Sequence, residues 1–327
     1  MKKLKLLLLK LSLIFILILS ACSSLPEKDI NLNPAKDEAI KFVNKAALLE
    51  KSREYKSAHY YYSLALQKYQ LTDDQNGILT SSIGIARQEM YMGLMHDFSV
   101  RISALDRKLA NSKPTDIKNE LTFLKLEFQY NQSNYDSVLT LCKSLKDLNE
   151  ENELKTLSWR ILSSIKKGSS PITLISSLNS KTETAFNNFK KNKFNSSQTL
   201  SFAYYTLGYS AYNQKEYRNS IKHFQNAVKM DKYDQNFYNL ATDLYYIGLC
   251  YEALLEFIPA SDYFHRSYNI VNQLDNSDKK DETLFKALAN EWLAYKDNKT
   301  IQEMKALKSS LNNPSLTAII DNWLKNK

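Results

Sequence analysis

Glycine and proline are scarce in this 327-residue chain, at six each, and there are only three cysteines. So few glycines leave little material for the tight turns of an all-β fold or the phosphate-cradling loops of a dinucleotide-binding sheet. No H-E-x-x-H, G-x-x-x-x-G-K-[ST], G-x-G-x-x-G or G-x-S-x-G string occurs, which removes the usual marks of metalloprotease, nucleotide and serine-hydrolase chemistry. The four histidines, His59, His96, His223 and His265, are scattered, and none is read as a metal ligand. The reading is therefore no enzyme, no cofactor and no metal. Long apolar runs are also lacking, except at the N-terminus.

What remains is helix material, with 43% hydrophobic and 24% charged residues. The stretch 201–270 holds one pattern twice, forty residues apart. The first copy reads Tyr204, Leu207-Gly208, Tyr217, Ser220, Phe224, Ala227. The second reads Leu244, Ile247-Gly248, Phe257, Ala260, Phe264, Ser267. Apolar residues recur at three and four, the spacing of an amphipathic helix. Gly208/Gly248 and Ser220/Ala260 let two helices approach, and the aromatics fill the space beside them. Such a helix pair cannot bury its own apolar face and must stack on a neighbour.

The segment YYTLGYSAYNQKEYRNSIKHFQNAVKMD and its successor LYYIGLCYEALLEFIPASDYFHRSYNI resemble tetratricopeptide repeats. The resemblance implies an all-α, right-handed superhelical solenoid of antiparallel helix pairs. The usual period is about 34 residues, so roughly six extra residues fall in 233–240, as a longer turn or an extended first helix. A third copy runs through Phe42, Ala46, Leu49, Tyr55, Ala58, Tyr62 and Ala65, each 162 residues before its counterpart. Met90, Met92 and Met95 read as core filler in a diverged unit after it. Asn134, Tyr135, Val138, Cys142 and Leu145 mark the second helix of a weaker unit. Leu154–Ile165 is an amphipathic helix with Trp159, and 172–200 reads as a degenerate helix pair where two blocks bend. Leu284, Leu288, Trp292 and Tyr295 begin a last repeat, and 312–327 holds a capping helix.

The N-terminus is a different object. Lys2, Lys3 and Lys5 precede an apolar run from Leu11 to Leu19. That run is too short for a membrane helix of about 20 residues but suits a signal peptide. Leu19-Ser20-Ala21-Cys22 resembles the bacterial lipobox. The resemblance implies cleavage before Cys22, a diacylglyceryl thioether on its sulfur and an acylated amine. Several acyl chains together anchor firmly, at about 0.8 kcal/mol per buried CH₂. Ser23, rather than an aspartate, points to the outer membrane of a two-membrane bacterium; the expected location is the outer membrane facing the periplasm. Four lysines leave with the signal, so the formal charge of +9 becomes +5. That mild, interspersed charge reads as solvated helix surface, not as a nucleic-acid patch. In an exported chain Cys142 and Cys250 could oxidise, but they belong to separated units and read as buried free thiols.

The expected organisation is a signal peptide at 1–21, a lipidated tether at 22–34, a repeat block at 35–165, a connector at 166–200, a second block at 201–311 and a cap at 312–327. By family analogy, first helices line a concave groove. In the second block this nominates Phe202, Tyr205, Tyr209, Tyr212, Asn213, Tyr245, Leu249 and Glu252 as partner-binding residues. Tyrosine offers an apolar face and a polar tip, which suits polypeptide recognition. Tyrosine is also abundant, with 21 copies, so packing against the adjacent repeat accounts for some of these positions equally well. The implied function is a scaffold holding another envelope protein, for example in outer-membrane-protein, pilus or cell-wall assembly. The alternatives are a surface lipoprotein that contacts host or neighbouring cells, and an envelope enzyme or solute-binding lipoprotein.

Overall fold

The computed structural model describes residues 34–110, 116–274 and 277–326. Among them are fifteen α-helices and no strand. The signal segment, Cys22 and the tether up to residue 33 lie outside the described residues, as do 111–115 and 275–276. No described helix is long and apolar enough to cross a membrane.

The helices pair in order. They are α1 (Pro34–Lys51) with α2 (Tyr55–Leu71), α3 (Gln75–Tyr91) with α4 (Met95–Leu109), α5 (Asp116–Asn131) with α6 (Tyr135–Ser144), and α7 (Glu150–Lys166) with α8 (Ile172–Lys190). Then come α9 (Ser197–Asn213) with α10 (Tyr217–Asp234), α11 (Phe237–Ala253) with α12 (Phe257–Gln273), α13 (Ser277–Tyr295) with α14 (Asn298–Ser310), and the last helix α15 (Pro314–Lys325). The turn inside each pair is built alike. One residue takes a left-handed conformation: Arg53, Gly93, Ser133, Gly168, Lys215, Leu255 and Lys296. Three of these turns are spaced by forty (53, 93, 133), and so are the turns at 215 and 255.

The sequence pattern explains the pairing. Gly208 lies against the Phe224 ring, and a Cβ there would sit 3.0 Å from it. Gly248 does the same with Phe264 at 2.9 Å, and Gly84 with Tyr62 at 2.7 Å. Phe224 and Phe264 are wholly buried, and each contributes about 2–3 kcal/mol by leaving water. Ser220 Oγ donates to the Gly208 carbonyl at 2.8 Å, closing the same contact with a hydrogen bond.

Three expectations need correction. Met95, expected as core filler, is exposed, and of that cluster only Met90 is buried. The stretch 172–200 is not a helix pair. It holds one helix, α8, which completes a unit with α7 across the Gly168 turn. Its serine- and threonine-rich composition hides the helix, because hydroxyls such as that of Thr182 bond back to the carbonyl four residues earlier (2.7 Å to Leu178). Phe186 and Phe189 pack on the core shared by α7, α8, α9 and α10. The extra residues at 233–240 form no long turn. They lengthen α10 to Asp234 and begin α11 at Phe237, leaving a two-residue break at Gln235 and Asn236. Gln235 is left-handed, and Asn236 caps α11 by accepting from the Asn239 amide at 3.1 Å. The last helix is likewise capped, by Asn313 accepting from the Leu316 amide.

First helices also touch one another across units, α3 with α5, α5 with α7, α7 with α9, and α9 with α11. They form the inner wall of the curve. The solenoid then returns on itself. Lys51, at the first turn, is 2.9 Å from Asp234 at the end of α10, across 183 residues of sequence. Beside it the Arg53 guanidinium lies 3.1 Å above the Tyr238 ring.

Candidate protein-binding wall

The inner wall is aromatic through its middle. Tyr130 of α5 meets Trp159 of α7 at 5.1 Å, and Trp159 meets Phe202 of α9 at 5.1 Å. Tyr205 and Tyr209 stack with each other, and both meet Tyr246 of α11 edge-on, at 5.8 and 5.7 Å. Lys166 sits 5.4 Å from the Tyr209 ring centre, and its hydrogen bond to Tyr209 holds its ammonium above the ordinary value. At the far end, α11, α12 and α13 enclose a pocket of about 190 Å³ lined by Tyr238, Thr242, Tyr245, Tyr246, Lys279 and Glu282.

The eight nominated residues fall into two groups. Phe202, Tyr209 and Tyr245 are half-buried on the wall. The Tyr245 hydroxyl donates to Glu282 at 2.8 Å, and burial pushes the phenol well up. Asn213 is exposed at the end of α9, donating to the Tyr209 carbonyl at 2.7 Å. The other four are engaged by side chains of their own unit and of the next. Tyr205 packs edge-on against Phe224, and burial pushes its phenol well up. Tyr212 lies between Tyr217 and Tyr246. Leu249 belongs to the core with Ala260, Phe264 and Ala287. Glu252 accepts from Lys286 at 2.9 Å and from Asn290 at 3.3 Å. In a solenoid the same helix face must serve both the groove and the following repeat, so a linear pattern mixes the two roles.

Tyr130, Trp159, Tyr238 and Tyr246 were not among the nominated wall residues. The turn register relates equivalent positions from unit to unit. Six residues before each left-handed turn stand Ala47, Arg87, Glu127, Leu162, Tyr209, Leu249 and Asn290. Arg87 and Glu127 are thus equivalents of Tyr209 in units where the Leu-Gly signature has degraded.

Buried ionisable groups cluster near the return contact. Asp231 and Asp243 are each 1% exposed. Burial, with the nearby Asp234 charge, pushes Asp231 up to about 6, and burial with the Asp231 charge beside it pushes Asp243 well above its ordinary value. Both cysteines are buried and free, with burial pushing Cys142 up to about 12 and Cys250 to about 11. His265 is 3.1 Å from Glu291, and the described residues hold no group of three or more His, Cys, Asp or Glu side chains able to bind a metal.

No family model and no curated protein matches this chain. Solved structures do. RapI in its apo form is 13% identical with a TM-score of 0.59, over 86% of this chain and 79% of RapI. A Rap protein complexed with competence and sporulation factor is 14% identical, with a TM-score of 0.54 over 84% of this chain and 76% of that one. A signal-transduction ATPase with a tetratricopeptide-repeat sensor, from Pyrococcus horikoshii, is 15% identical with a TM-score of 0.60. This chain matches it over 87% of its own length but only 44% of the ATPase. At such identities the likeness concerns the fold, and the fold is an all-α, tetratricopeptide-like solenoid.

Proposed function

We propose that this protein is a lipid-anchored scaffold of the bacterial envelope that holds a partner polypeptide against its inner wall. The observation that carries this reading is the aromatic wall running from Tyr130 through Trp159 and Phe202 to Tyr209 and Tyr246, all half-buried on successive first helices. Rings with one face packed and one face open add contact area at low entropic cost, a feature of binding surfaces rather than cores. A Rap protein with this fold has been solved complexed with competence and sporulation factor, which supports a binding role for the solenoid. The lipobox-like Leu19-Ser20-Ala21-Cys22 supports anchoring through Cys22, and Ser23 supports the outer membrane.

The test is recovery of the partner from detergent-solubilised envelopes on the tagged chain. Phe202→Ala with Tyr209→Ala should lose the partner while circular dichroism stays helical. Undiminished recovery refutes the wall. Separately, Cys22→Ser should abolish palmitate incorporation and release the chain from membranes. Retention of both labels and membrane association would refute the anchor. Protease treatment of intact cells separates a periplasmic chain, which survives, from a surface chain, which is shaved.

A further inference from the structure

The chain is basic overall, at +9, yet one part of its inner wall is acidic. Glu50 of α1, Glu120 of α5 and Glu127 of α5 gather around the single guanidinium of Arg87 on α3. The ion pairs are loose: Arg87 Nη1 is 3.6 Å from Glu50 Oε1, and Nη2 is 4.0 Å from Glu120 Oε1. The remaining contacts come from neutral donors. The Tyr91 hydroxyl donates to Glu127. The Tyr62 hydroxyl donates to Glu50 at 3.2 Å, and Gln88 Nε2 donates to the same oxygen at 2.8 Å. Lys155 also acts on Glu120, but its ammonium is paired with Glu151 at 2.6 Å. Three carboxylates thus face one cation. Burial pushes the Glu120 and Glu127 carboxyls up, the sign of charge short of compensation.

A second observation is independent of charge. Gln88 is fully buried, and with its amide nitrogen spent on Glu50 its Oε1 meets no donor. A buried acceptor without a donor costs about 1–3 kcal/mol. The cluster therefore lacks both a positive charge and an N–H donor. A guanidinium or ammonium supplies both. Glu120 is 36% exposed at its side chain, so the cluster is reachable. Its flank is aromatic, with Tyr55 stacked on Tyr91 at 4.7 Å.

We infer that this cluster is the anchor subsite for a basic side chain, arginine or lysine, of the polypeptide that lies along the wall. The inference rests on the wall-binding reading and names the charge class of its partner. Arginine is favoured, because its fork spans two carboxylates and its plane packs on tyrosine. The cluster and the aromatic wall together select a basic residue flanked by apolar ones.

The test is calorimetric titration of the full chain with two capped peptides, acetyl-Ala-Phe-Arg-Phe-Ala-amide and its Glu counterpart, at low salt. The Arg peptide should bind at least tenfold more tightly. E120Q/E127Q should reduce that preference to threefold or less without lowering the melting temperature. Glu120→Lys, at a reachable position, should weaken the Arg peptide more than tenfold. Equal affinities in the wild type overturn the inference, as does a preference that survives both variants. Competition by millimolar magnesium chloride in place of the peptide overturns it in favour of an inorganic cation. If the peptides bind alike and F202A/Y209A weakens both, the wall stands and the anchor falls. If neither binds, the anchor falls, and partner recovery alone judges the wall.

Discussion

The contact that returns the first turn to α10 and α11 should behave as a latch on the inner wall. Lys51 Nζ and Asp234 Oδ1 are 2.9 Å apart, with side chains 24% and 16% exposed. At that depth a charge-assisted hydrogen bond contributes about 1–2 kcal/mol net of desolvation. Arg53 over Tyr238 at 3.1 Å, with Arg53 exposed, adds about 0.5–1 kcal/mol. Removing both should raise the opening constant by about 10- to 140-fold, at 1.4 kcal/mol per tenfold. The variant is Lys51→Ala with Arg53→Gly. Glycine at 53 also relieves a left-handed residue (φ 60°), so α1 and α2 are not weakened locally. Dyes at Lys56→Cys and Lys222→Cys report the gap by energy transfer. The native thiols should stay unlabelled, since burial keeps both protonated. Transfer should be high in the wild type, fall in the variant, and fall partly with salt in the wild type. Unchanged transfer in the variant would show that packing along the solenoid alone sets the closure, and the latch reasoning would be refuted.

Other outcomes follow from single sites. Asp231 and Asp243 hold protons more tightly in the folded chain than in the unfolded one, so their contribution is full below about pH 4 and is lost as pH rises through about 6 and beyond. Asp243→Asn should flatten that decline and raise the melting temperature at pH 8. An unchanged pH profile would contradict the raised carboxyls. Leu255 is left-handed at φ 60° and 73% exposed, so Leu255→Gly should stabilise by up to about 1 kcal/mol, read by urea denaturation. Gly248→Ala places a Cβ 2.9 Å from the Phe264 ring and should destabilise by about 1–3 kcal/mol. A neutral result would mean that α11 and α12 can separate without loss.

Sequence alone determined the unit. Spacings of three and four, the small residues at 208 and 248, and the copy beginning at Phe42 suffice to mark paired helices, because helix periodicity and the close approach of one pair are local matters. It also carried the composition that leaves strands and phosphate loops without material. Where the signal depended on glycine or leucine at one position, as in the unit of α5 and α6, the helices were legible but their wall residues were not. Threonine hydroxyls turned back on the backbone, in a segment rich in serine, disguised α8 as a connector. Tertiary structure decided which face of each first helix meets its neighbour and which stays open, taking Leu249 and Glu252 into the next unit while leaving Phe202 and Tyr209 on the wall. It also brought Glu50, Arg87 and Glu127 from three helices to one place, and Lys51 to Asp234. Such meetings depend on the small rotation between successive units, summed over a full turn, and that rotation is a product of packing between units rather than of any segment's own pattern.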